Sequence, residues 1–228
     1  VAHSDSKLNP MLAAMNEVKR SALSPIMVCL PGKIISYNSS NQRAQIECGI
    51  QRKIGESFVT IPVITNVPVN FSGSGNWSVF HELPAGTEGL IHFSHRAIDT
   101  WIDQGGPVAP HEMRMFAPED AFFSPGYRSM QTVIPGLPVS GVGMSNKDGS
   151  VLFHMNDGGI TLSVGGSKLS LTADGMIYNG VNFTSNSTTT LNGSTEVQSG
   201  GLKVGSIDFE SHVHGGVQNG NGSTERPK

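Results

Sequence analysis

The stretch from Asn182 to Gly200 most constrains what this chain can fold into. Of its 19 residues, 14 are Ser, Thr, Asn or Gly, and only Phe183, Leu191 and Val197 are large and apolar. Ordering a backbone costs roughly 1–2 kcal/mol per residue, and a fully buried apolar side chain returns about 1.5–3 kcal/mol. Three such side chains cannot offset the ordering of the whole stretch. Two readings follow: the segment is disordered, which polar tracts of low hydrophobicity favour, or it shares a core with other chains.

The flanks favour the shared core. Ile160/Leu162/Val164, Leu169/Leu171, Val181/Phe183, Leu202/Val204 and Ile207/Phe209 alternate at the period of a strand. Turn residues separate them at Gly158-Gly159, Gly165-Gly166, Ala173-Asp174-Gly175, Asn179-Gly180, Asn192-Gly193 and Gly200-Gly201. Between Val151 and Lys228 lie 14 of the chain's 28 glycines. Three strands winding about one axis, each turning a narrow apolar row inward, would make a slender prism. Ser and Thr outside keep β propensity without a sticky surface.

Residues 26–95 read as strands of a different kind. Met27–Leu30 and Lys33–Tyr37 are β-prone, with a kink expected at Pro31-Gly32. A turn at Asn38–Asn41 leads to a return strand on which Ala44, Ile46 and Cys48 alternate. Phe58–Val69 is broken by Pro62 and Pro68, which suits an edge. Val79–Phe80 and Leu90–Phe93 resume the strand character. Ser94 is placed to cap a short helix carrying Ile98, Trp101 and Ile102, and another strand is expected near Ala121–Phe123. A five-stranded barrel of the OB type fits this order, and a sandwich fits the pattern almost as well. Before it, Asn9 and Pro10 open a helix carrying Met11, Leu12, Met15 and Val18, which packs on its own domain or docks on a neighbour.

Composition narrows the function. The net charge is -3 and charged residues make up 14% of the chain, with no Lys/Arg cluster of the kind that binds nucleic acid or anionic lipid. No apolar run approaches the ~20 residues of a membrane span. The start lacks the pattern of a signal peptide, so synthesis in the cytoplasm is expected. Cys29 and Cys48 read as buried free thiols, with one disulfide as the alternative.

The C-terminus carries His212-Val213-His214. Residues two apart in an extended segment face one side, so both imidazoles can reach one point. Two ligands are too few for a metal, but three chains about a threefold axis would supply six. Ile207, Phe209 and Val213 have the opposite parity to the histidines, so a break in the strand is expected near Ser211.

Three stretches resemble the central baseplate spike proteins of contractile-tailed bacteriophages, the membrane-piercing needles of the tail. They are Ile61-Pro62-Val63 through Arg96–Trp101, then Asp120–Phe123 with Ile134–Leu137, and above all His212–Gln218 with Pro227. The resemblance implies an all-β homotrimer with an OB-fold barrel (25–138), an intertwined triple-stranded β-helical prism (139–210) and an apex (211–228); it does not cover residues 1–24, the N-terminal helix or docking arm, whose role stays open. It implies one iron ion per trimer at that metal-capped apex, held by His212 and His214 of each chain. It further implies a place at the baseplate tip of the virion, assembled in the host bacterial cytoplasm. Tail hub proteins would meet the N-terminal end, and the host outer membrane would be contacted transiently during piercing. No enzymatic activity and no nucleic-acid partner are expected.

Other classes fit less well. A trimeric tailspike enzyme cleaving surface polysaccharide needs two carboxylates about 5–9.5 Å apart. Asp208 and Glu210 share a strand face, while Asp157, Asp174 and Glu196 are scattered at turns, where aspartates usually serve the backbone. A nucleic-acid or carbohydrate binder would want interleaved Lys/Arg and aromatic residues. A metalloenzyme site from His92, His95 and His111 is conceivable by residue type alone, although lone histidines are usually surface or hydrogen-bonded groups.

Overall fold

The computed structural model describes residues 9–24, 26–199, 201–213 and 220. It is mostly β and divides into two compact units. One ends at Val139 and also takes in Lys147–Gly149, and the other begins at Ser140.

The first unit opens with helix α1 (Pro10–Leu23). Asn9 caps it by accepting the Leu12 amide at 3.2 Å, and Pro10 occupies its first turn. None of its residues is buried, and Met11, Met15 and Val18 remain largely exposed. Pro25 lies outside the described residues.

Next come β1 (Cys29–Asn38), β2 (Arg43–Cys48), the small hairpin β3 (Arg52–Ile54) and β4 (Ser57–Val59), then β5 (Ile64–Pro68), β6 (Glu88–Phe93) and β7 (Ala121–Pro125). Five of them form a half-barrel sheet in the order β5-β2-β1-β6-β7. Its outer strands approach through a parallel bridge from Val69 to Phe123, and the Asn70 amide donates to the Phe123 carbonyl at 2.8 Å. Alternation puts Ala44, Ile46 and Cys48 inside, as their spacing predicts. They join Ile34, Ile64, Val67, Ile91 and Phe123 in one core. Gly32 of β1 lies opposite Gly89 of β6. A methyl group on Gly89 would run into the Phe123 ring and sit 2.5 Å from the Ser124 carbonyl oxygen. Glycine at 89 thus lets β6 and β7 approach closely.

Three local expectations are revised. Pro31-Gly32 does not divide the first strand; the irregularity falls between Ile34 and Ser36. Val79–Phe80 forms no strand, because the chain there belongs to a loop held by the Gly73–Ser78 bridge. The short helix α2 (Asp99–Gln104) begins after Ile98 rather than at Ser94, whose hydroxyl accepts the Arg96 amide instead. Cys29 and Cys48 are free thiols, Cys48 buried and Cys29 exposed.

The second unit contains β8 (Val142–Ser145), β9 (Val151–Asn156), β10 (Gly159–Val164), β11 (Ser167–Thr172) and β12 (Gly175–Asn179), which form a meander in chain order. Its registers align Val142 with Met155, Met144 with Phe153, Ile160 with Leu171, Leu162 with Leu169, and Leu171 with Met176. Because partners across a ladder share a face, one side of the sheet is apolar from edge to edge. The other is mixed, carrying Leu152 and Ile177 among His154, Thr161, Ser163, Lys168, Ser170 and Thr172. No described residue of this unit is buried; Leu162 at the centre of the apolar face is 45% exposed. Residues 182–199 contain no strand, and a last hairpin joins β13 (Lys203–Val204) to β14 (Ile207–Asp208).

Candidate functional sites

At the C-terminal site, β14 ends at Asp208 and the chain turns through residues 209–211, so the expected break near Ser211 is present. The His212 amide donates to the Asp208 carbonyl at 2.9 Å. Its ring lies 5.6 Å from that of Phe209, and its Nδ1 sits 3.1 Å from the Phe209 carbonyl oxygen. A carbonyl only accepts, so this bond places the proton on Nδ1 and the lone pair on Nε2. That is the tautomer a metal-binding histidine adopts when a backbone carbonyl orients it. His212 therefore fits the role of ligand. His214 lies outside the described residues. Among the described residues no group of three His, Cys, Asp or Glu side chains is gathered within one chain.

The acidic residues near this end serve the backbone. Asp208 Oδ1 accepts the Glu210 amide at 3.1 Å, and Oδ2 lies 3.8 Å from Lys203 Nζ. The barrel histidines are separate from one another. His92 Nδ1 faces Cys29 Sγ at 3.7 Å and its Nε2 faces Ser124 Oγ at 3.1 Å, while His95 packs against Phe116 with ring centres 5.1 Å apart.

Two polar clusters escaped the sequence reading. Asp120 is fully buried. Its Oδ1 accepts the Ile98 amide at 2.9 Å and Arg114 Nη2 at 2.9 Å, and its Oδ2 accepts Arg114 Nε at 2.7 Å. Arg114 also bonds Asp99 and Glu112. The Asp120 bonds, helped by those to Asp99 and Glu112, hold the guanidinium proton more tightly than usual. This fork fastens α2 and the segment before β7 to the barrel. On β6, Glu88 accepts the Ser129 amide at 2.6 Å and the Thr132 hydroxyl at 2.5 Å. The Ser129 amide, then the Thr132 hydroxyl, hold its carboxyl below the usual range. It latches the chain leaving the half-barrel. Neither cluster has a sequence signature, since the partners of Glu88 lie some forty positions away.

A cleft of about 720 Å³ opens where the β1–β2 turn meets the segments before β6 and after β5. It holds an aromatic group that sequence spacing does not reveal: Tyr37 and Phe71 have ring centres 6.2 Å apart, and Phe71 and His81 5.4 Å.

Residues 30–126, less than half of the chain, match the family described as Phage protein Gp138 N-terminal domain. No curated protein matches the chain. The family match covers the half-barrel and supports a phage structural protein, a virion component with partners in assembly.

Proposed function

We propose that the protein is the central spike of a contractile phage tail, a homotrimer that pierces the host outer membrane during injection. The observation that carries this reading is the meander with one largely apolar face, none of whose residues is fully buried. A patch of that extent on a lone chain is a liability in water, and covering it at about 25 cal/mol per Å² would be strongly favourable. Copies of the chain wound about one axis would give each apolar face a cover and leave the Ser/Thr/Lys face outside, as an intertwined prism requires. The half-barrel strand order, with its outer strands meeting in parallel, supports an OB-type barrel. The exposed Met11, Met15 and Val18 of α1 suit docking on a tail hub.

At the apex, His212 and His214 of three chains would hold one iron ion. Bound there, the ion would tie together three chain ends that otherwise fray. The Phe209 carbonyl would set the orientation of each His212 ring, and the turn at residues 209–211 would swing the histidines out of the strand parity above.

Native mass spectrometry paired with metal analysis tests the reading. Three chains and one iron per particle are expected. A folded monomer at micromolar concentration would end it. Replacing both His212 and His214 by Ala should remove the metal and leave the trimer assembled.

A further inference from the structure

The cleft beside the β1–β2 turn combines an aromatic floor with an uncommitted polar rim. Its volume lies within the ~300–1,000 Å³ typical of small-molecule sites. Tyr37, Phe71 and His81 are packed edge to face within it, and Phe80 stands at the mouth, 84% exposed. Around them lie Ser39, Gln42, Asn70, Ser78 and Glu82. None of these five side chains forms a hydrogen bond with another described residue. Gln42 is also held in the left-handed region at φ 56, a conformation that side chains adopt at some cost and that recurs at binding sites.

We propose that this cleft is a binding site for a neutral saccharide. A sugar ring has an apolar C–H face and a rim of hydroxyls. The aromatic rings match the face, and the amides, hydroxyls and the Glu82 carboxylate match the rim as donors and acceptors. The charge pattern disfavours anionic ligands: no Lys or Arg lines the cleft. The neighbouring Arg43 turns its Nη1 to the carbonyls of Asn41 and Gln42, at 3.1 and 3.4 Å. Nucleotides and phosphorylated sugars thus meet no Lys or Arg in the cleft.

A peptide fits poorly as well. An added strand needs unpaired backbone along an edge, and several backbone amides of these walls are spent within the fold. The Val69 amide donates to Gln42, that of Asn70 to Phe123, and that of Val79 to Ser72. Recognition is left to side chains, which suits hydroxyls. The half-barrel alone carries this inference, so it stands whether or not the spike reading does.

Saturation-transfer NMR on the full-length protein tests it, with maltohexaose, cellohexaose and N-acetylchitohexaose as probes. At least one should receive saturation on its ring protons. Phe80→Ala and Gln42→Gly should each weaken that binding about tenfold, roughly the loss of one good contact. Both side chains are exposed, and glycine accepts the backbone angle at 42, so the variants should keep the native circular dichroism. Silence from all three probes at millimolar concentration overturns the proposal, as does binding that both variants retain in full. A soluble paramagnetic probe that fails to broaden the Phe80 ring signals of the sugar-free protein would mean that another copy of the chain fills the cleft, and would overturn it too.

Discussion

Asp120 is the residue on which the half-barrel's closing segment depends. Its carboxylate is fully buried and answered by the Ile98 amide and two guanidinium nitrogens. Removing one partner of such a pair leaves the other charge unanswered, at about 3–5 kcal/mol. The Arg114 side chain is 25% exposed, so water can recover part of that loss. Asp120→Ala is therefore expected to destabilise the unit by about 3 kcal/mol, read from urea unfolding through Trp101, whose ring packs on Phe122 at 5.7 Å. Glu88 gives a pH signature. Its folded carboxyl titrates below its ordinary value because the Ser129 amide and Thr132 hydroxyl bond the charged form. The stabilisation is thus complete above the unfolded value near ~4.3 and is lost as pH falls through the lower folded value. Melting temperatures of the native protein and Glu88→Gln should differ at pH 7 and converge as the pH is taken below the lowered folded value.

Among the elements of the half-barrel, the crossing of β6 and β7 at Gly89 is close-packed. Gly89→Ala would press its methyl group on the Phe123 ring and the Ser124 carbonyl, and overpacking of this kind costs about 1–3 kcal/mol. A loss near 2 kcal/mol in denaturant is expected; an unchanged midpoint would mean that the sheet relaxes there freely. This crossing also marks where sequence reading stops. Ala44, Ile46 and Cys48 were legible because one face of β2 is buried along its whole length. The Asn9 cap and the glycine turns of the meander were legible because their partners are local. The start of α2 was not, since Ile98 is fixed by Asp120 from 22 positions away. Val79–Phe80 has strand-forming residues but no strand beside it to pair with. At the C-terminus the turn after Asp208 followed from parity alone, whereas the bond from His212 Nδ1 to Phe209 required coordinates. The aromatic cleft was missed because its rings come from three segments, each unremarkable in sequence.

For the whole molecule, the decisive question is what covers the apolar face of the meander. Leu162 lies at its centre, paired with Phe153 on one side and Leu169 on the other. If copies of the chain meet there, Leu162→Glu should drive the assembly to single chains while the Trp101 signal of the half-barrel persists. Should the face point to solvent, the same change should leave the mass unaltered and stability within about 0.5 kcal/mol. Mass photometry separates the two outcomes.

The two units also differ in how far along the chain their partners lie. Every strand of the meander pairs with its immediate neighbour, whereas the half-barrel must bring Cys29 to His92 and Val69 to Phe123. Short-range contacts form quickly and long-range ones slowly, because the intervening loop must close first. The hairpins of the second unit can thus be in place while the half-barrel is still searching for its register. A newly made chain then shows its neighbours a finished sheet before it has a finished core. If copies of the chain assemble through that sheet, those emerging together on one messenger are favoured over strangers met later, and crowding at that stage is the hazard that such a topology carries.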